Sequence, residues 1–197
     1  VRADRPNISL FSKPYSTIVK FFGDEVNVTR LPRKQTAIKK LIKFKLEEQI
    51  MKESGWGNFL ANCVSTWIDL ELKKKISKFQ LVNSWIVRQF KNEYNPTHWH
   101  GGHISGAGFL KVPKILGDSV QKKKDINYRG GNLQLIHGSR MFTCPSTYNI
   151  IPEVGDFYLF PNYLMHTVFP FKGTDEERRS ISFNATIDDE IYNVYGR

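Results

Sequence analysis

Between residues 81 and 187 the chain is cut into short apolar, β-branched and aromatic runs, separated by segments that contain glycine, proline, asparagine or aspartate. The runs cover 81–90, 104–112, 133–136, 142–144, 149–151, 156–160, 167–169 and 179–187. Strands this short and this closely spaced leave no room for crossover helices, so they exclude a parallel βαβ sheet and predict an antiparallel sandwich or jelly roll.

The first 80 residues have a different texture. Ile38, Leu41, Ile42, Leu46 and Ile50 recur at three- and four-residue spacings with lysines between them, which predicts an amphipathic helix over 33–51. Pro32 suits its first turn, and Gly55-Trp56-Gly57 would end it. A second helix is expected over 58–79, burying Phe59, Cys63, Val64, Trp67 and Ile76. Two helices cannot bury that much apolar surface alone, so they are expected to cap the β-structure. The chain of 197 residues then reads as one domain, with a helical N-terminal support over 1–80 and a β core over 81–190. The lysine-rich insert at 113–130, with Asp118 and Asp125, reads as a surface loop of the kind that covers a substrate.

Composition narrows the class further. No apolar run reaches the roughly 18 residues of a membrane span. The opening VRADRPN carries no charged-then-apolar leader, so a cytoplasmic protein is expected. Cys63 and Cys144 are far apart and predict two reduced thiols rather than a disulfide or zinc site. The net charge of +10 favours anionic partners, an acidic peptide, protein or nucleic acid, and no membrane. The lysines concentrate at Lys39, Lys40, Lys43 and Lys45, at Lys73, Lys74, Lys75 and Lys78, and at Lys122, Lys123 and Lys124, where a solvated face is the plainer reading. The oligomeric state is not legible.

The stretch NPTHWHGGH places His98 and His100 two residues apart, and in a strand such residues project to one face while Trp99 points away. Two imidazoles on one face suit a first-row metal if a distant strand brings a third ligand. The candidate is His166, in FPNYLMHTVFPF, six residues past Phe160. Twelve residues further on, Arg178 or Arg179 opens the next strand and offers a planar fork to a carboxylate. The competing role for Arg178 is a salt bridge with Asp175, Glu176 or Glu177.

Three segments carry a family resemblance: LVNSWIVRQFKNEYNPTHWHGGHISGAGFLKVP, GGNLQLIHG and PEVGDFYLFPNYLMHTVFPFKGTDEERRSISFN. In this order they resemble the iron(II)- and 2-oxoglutarate-dependent oxygenases, in particular a prolyl-hydroxylase-like branch of bacteria and bacteriophages, over about residues 80 to 187. The resemblance implies a double-stranded β-helix (jelly roll, cupin-like) with flanking helices. It implies Fe(II) as cofactor, with 2-oxoglutarate and O2 as co-substrates, and oxidation of a substrate C–H bond. It places the protein in a cytoplasm, the host's if the chain is phage-encoded. Carried over by position, His98, His100 and His166 hold the metal, Arg178 clamps the co-substrate's far carboxylate, and Ser180, in the R-x-S-x-S-F-N register with Ser182, assists.

One departure from the family pattern stands out. His100 occupies the slot that the family fills with Asp or Glu. A three-histidine site is one explanation, as in some thiol and diketone dioxygenases. In another, His100 is the first ligand and Gly102 fills the carboxylate slot, as in related halogenases. In the third, His103, Asp156 or Asp125 moves in. The first is favoured, because His98 and His100 share a face and the neighbouring glycines offer no ligand. Phe109, where the hydroxylases often carry a tyrosine, is expected in the core; Tyr94 and Asn132 are candidates for polar lining. Trp85, Trp99 and Phe90 are expected to pack the sheet, and His137 to sit on a sheet face or turn. The expected function is therefore a hydroxylase of this type. A non-catalytic jelly-roll binding module and a three-histidine dioxygenase without 2-oxoglutarate are the alternatives.

Overall fold

The structure, a computed structural model, describes residues 8–10, 17–20, 42–117 and 130–193. Its strands are β1 (Ile8–Leu10), β2 (Thr17–Lys20), β3 (Ile42–Lys45), β4 (Phe79–Gln89), β5 (Asn95–His98), β6 (Ile104–Lys111), β7 (Leu133–Ile136), β8 (Thr147–Ile150), β9 (Asp156–Pro161), β10 (Met165–Val168) and β11 (Arg178–Ile187). The helices are α1 (Glu48–Glu53), α2 (Trp56–Leu72) and α3 (Asp189–Tyr192). All pairings between these strands are antiparallel. A seven-stranded sheet runs β1-β2-β9-β6-β11-β4-β3, and a four-stranded sheet runs β5-β10-β7-β8. This is the expected jelly roll.

Alternation along β11 explains how one sheet serves two cores. Ile181, Phe183, Ala185 and Ile187 face α2, where they pack with Leu60, Cys63, Val64 and Ile68. The other face turns toward the small sheet, where Phe109, Tyr158 and Phe160 meet Leu133, Leu135 and Ile150. Trp56 ties the helix to the sheet: its Nε1 donates to Ser84 Oγ at 3.0 Å, and that hydroxyl donates to Ser182 O at 2.7 Å. Phe157 packs so close to β6 that a Cβ on Gly108 would lie 2.2 Å from its ring. Only glycine leaves room for the ring there.

Two helical expectations are corrected. Residues 42–45 form an edge strand paired to β4, with Lys43 opposite Val87, rather than the middle of a helix. Ile42, Lys43, Phe44 and Lys45 also alternate with period two, and a partner strand decides between the two patterns. Gly55, at φ 71°, breaks α1 from α2, and the second helix stops at Leu72 because Lys73 turns left-handed at φ 55°. Residues 142–144 are a turn closed by a Met141–Cys144 bridge, not a strand. Residues 33–41, with Lys39 and Lys40, and 118–129, with Lys122, Lys123, Lys124 and Asp125, lie outside the described residues, so the substrate-loop expectation lies largely there too. Cys63 and Cys144 are both free, and burial pushes the Cys63 thiol up to about 12. Among the described residues no helix is long and apolar enough to cross a membrane.

The start of β11 is pinned by one carboxylate. Glu177 accepts from Arg88 at 2.6 and 2.9 Å and from Arg179 at 2.9 and 3.1 Å. Burial alone would raise its pKa, but the hydrogen bonds and charges of Arg179 and Arg88 prevail and hold it at about 2, against an ordinary 4.5. A depressed carboxylate stabilises the fold fully above its unfolded pKa and loses that contribution as pH falls through the folded one. Glu177→Gln is therefore expected to lower unfolding free energy by about 1–3 kcal/mol at pH 7. In urea titrations the gap from wild type should narrow as pH falls from about 4.5 toward 2.

Candidate metal centre

Strand pairing brings the three histidines together. His98 on β5 lies directly opposite His166 on β10, and His100, two residues past the end of β5, brings its ring within 4.9 Å of both by centroid. One ligand nitrogen from each of the three lies within 4.8 Å of the others. His100 Nε2 and His166 Nε2 stand 3.1 Å apart. Adjacent nitrogens on a metal with bonds near 2.1 Å lie about 3 Å apart, so this pair already has the spacing of neighbouring ligands.

Backbone carbonyls orient the rings. His98 Nδ1 lies 2.7 Å from Pro96 O, and His166 Nδ1 lies 2.9 Å from Leu164 O. A carbonyl only accepts, so the proton of each neutral ring sits on Nδ1 and the Nε2 lone pair faces inward. Asn95 Nδ2 donates to His98 Nε2 at 3.3 Å. The rings are held neutral chiefly by burial. His100 falls to about 3, with the charges of His166, His98 and Lys43 adding to the effect; His166 falls to about 4 despite its carbonyl bond; His98 is lowered in the same sense. Neutral imidazole is the form that binds metal.

The same pocket reaches Arg178 on β11. This guanidinium is 2% exposed, its Cζ lies 5.0 Å from the Phe109 ring centroid, and its Nε has no hydrogen-bond partner. Its neighbour in the register, Gln89, likewise buries Oε1 without one. Burial alone lowers the Arg178 pKa to about 10, so it stays charged at neutral pH. Glu177 neutralises Arg179 and Arg88 instead. The pocket is lined by Lys43, Trp85, Val87, Asn95, Phe160, Ser180 and Ser182 besides these groups, and among the described residues no acidic side chain lines it. Its free volume of ≈ 30 Å³ holds water rather than a dicarboxylate, so a ligand of that size requires the lining side chains to move.

Other expectations resolve by position. Ser180 lines the pocket beside Arg178, and Phe109 is buried beneath the guanidinium as well as in the core. His103 is elsewhere: it stacks on Tyr192 at 4.0 Å, accepts from Ile187 N–H at 3.1 Å, and faces Asp189. Asp156 pairs with Tyr158 and joins no ligand cluster, nor does His137. Gly102, at φ 89°, lies against the Ala185 carbonyl. Neither Tyr94 nor Asn132 lines the pocket. Trp85 is a correction: it is a pocket wall, 5.3 Å from His100, rather than sheet packing. Trp99 is 65% exposed on the opposite face. Lys43 and Asn95 were missed because their roles depend on edge strands that pair only across the fold.

Comparison with known proteins gives the family and the fold. Residues 83–184, just over half of the chain, match the family model described as "Putative 2OG-Fe(II) oxygenase". The fold is similar to that of a viral collagen prolyl hydroxylase of Paramecium bursaria Chlorella virus-1, solved as its 2OG complex. That likeness has TM-score 0.51 at 14% identity, covering 74% of this chain and 78% of that one. A Pseudomonas putida prolyl-4-hydroxylase matches with TM-score 0.47 at 14% identity, covering 72% and 67%. HygX of Streptomyces hygroscopicus, solved with iron bound, matches with TM-score 0.46 at 12% identity, covering 73% and 70%. No curated protein matches the sequence.

If the three histidines act as one ligand set, His166→Ala lowers Mn(II) affinity by about tenfold or more, the scale typical of disturbing a metal site. His103→Ala and His137→Ala leave it nearly unchanged. Calorimetric titration of the three variants checks this, and equal losses in all three would refute the ligand assignment.

Proposed function

The chain belongs to the 2OG-Fe(II) oxygenase family, and from that premise we propose that it is a working iron(II)- and 2-oxoglutarate-dependent hydroxylase. The family uses Fe(II), 2-oxoglutarate and O2. In this reading decarboxylation of 2-oxoglutarate is coupled to oxidation of a substrate C–H bond. The observation that carries it is Arg178, a buried guanidinium with no anion beside it among the described residues. An unpaired buried charge costs several kcal/mol, so such a group is retained where a ligand supplies the missing anion.

His98, His100 and His166 would hold the metal, and the donor set fits one: three neutral imidazoles, of which His98 and His166 have Nε2 freed for a metal by their Nδ1 contacts with carbonyls. Bound iron(II) with dioxygen supplies the oxidising power that the pocket's own side chains lack. Arg178 would receive the far carboxylate of 2-oxoglutarate through its planar fork, with the Ser180 hydroxyl beside it. Phe109 holds the guanidinium plane from below. Phe160, Val168 and Leu133 give the pocket that holds Arg178 and the histidines part of its apolar lining.

Replacement of the family's carboxylate by His100 changes the charge balance. Neutral imidazoles leave a divalent cation uncompensated, and Arg178 and Lys43 add to the excess, so the pocket is a receptor for anions. A dianionic co-substrate suits that balance. A three-histidine dioxygenase that needs no 2-oxoglutarate would leave Arg178 without a task, and a binding module that had lost catalysis would have no use for the oriented lone pairs.

The test is thermal. A ligand that binds only the native state stabilises it by mass action, by about 2.7 kcal/mol at a hundred times its Kd. 2-Oxoglutarate is expected to raise the melting temperature of the Mn(II)-loaded protein, and Arg178→Gln to abolish that rise. No rise at millimolar 2-oxoglutarate would remove the co-substrate from the account.

A further inference from the structure

β3 and β5 are the edge strands of the two sheets, and both contribute to the pocket wall. Lys43 comes from β3, while Asn95 and His98 come from β5. Lys43 lies in the register row of Val87, Ser180 and Phe109, two strands away from β11. Lys43 lines the same pocket as His98, His100 and His166.

The two pocket cations are differently placed. Arg178 is buried at 2% exposure, whereas Lys43 is exposed at the edge. Among the described residues neither has a carboxylate in ion-pair range. A buried cation suits a ligand that enters first and is sealed in. A cation at the rim suits one that arrives afterwards from solvent. Trp85 supplies an aromatic wall beside His100 for the apolar part of that second ligand.

We propose that Lys43 recognises the primary substrate, holding a carboxylate of the compound to be oxidised at the rim beside the three histidines. The oxidised carbon then lies only a few bonds from the acidic group, with the carbon body against Trp85. The carboxylate belongs either to a free organic acid or to an acidic side chain of a peptide. This inference rests on the proposed function, and its test separates the two.

The experiment uses the full chain loaded with Mn(II) and 2-oxoglutarate, titrated calorimetrically with N-acetylglutamate, an Asp/Glu-rich decapeptide and a single-stranded oligonucleotide. Wild type is expected to bind at least one carboxylate probe. Lys43→Gln should weaken that binding by about tenfold, the effect of losing one charge-assisted hydrogen bond, while Lys43→Arg retains it. Preference for N-acetylglutamate indicates a free acid, and preference for the decapeptide an acidic side chain. Equal binding by wild type and Lys43→Gln, or no carboxylate binding by wild type, overturns the proposal. So does Lys43-dependent binding of the oligonucleotide alone. Lys43→Gln losing 2-oxoglutarate as fully as Arg178→Gln would assign Lys43 to the co-substrate and overturn it as well. If wild type fails to bind 2-oxoglutarate, the proposed function fails. The same probes on the Mn(II)-loaded protein then decide the role of Lys43 separately.

Discussion

The register between β5 and β10 is the constraint on which the site depends. Setting His98 opposite His166 sends both rings to the same side of the small sheet, and the two-residue step to His100 adds a third. A slip of one residue would turn Met165 or Thr167 inward instead and scatter the ligand set. The pairing is held by more than the two strands themselves. Thr167 Oγ1 donates to Asn95 O at 2.7 Å, His100 N–H donates to Asn162 O at 3.0 Å, and Asn162 Nδ2 returns a bond to His100 O at 3.0 Å. The histidines are thus flanked by hydrogen bonds to the backbone, two of them from side chains.

The large sheet contributes charge to the opposite wall. Glu177 holds Arg88 and Arg179 on the outer face, while alternation sends Arg178 and Ser180 inward. Two consecutive arginines therefore have opposite fates, one satisfied by a carboxylate and one left charged in an apolar pocket. Among the described residues nothing negative lines the pocket. Coulombic attraction in such a partly buried site is stronger than in bulk water, and it favours dianionic over neutral ligands.

Much of this was readable from residues in order. The strands at 104–111, 133–136, 156–161 and 178–187 follow from alternation and turn residues, and His98 and His100 from a spacing of two. The choice of Arg178 over Arg179 follows from the R-x-S-x-S register, because Ser180 shares its face. The failures share a cause. Residues 42–45 satisfy helical and strand periodicity equally well, and only the pairing with β4 decides. Lys43, Asn95 and Trp85 enter the pocket through contacts between elements distant in sequence, which no local pattern encodes.

The most direct test of the central claim is the anaerobic visible absorption spectrum of the Fe(II)-loaded protein, recorded before and after addition of 2-oxoglutarate. The account predicts a weak charge-transfer band that appears with the keto acid and is not reproduced by succinate, which lacks the keto group. Bound iron with no such band would contradict the account and leave a three-histidine centre of a different chemistry.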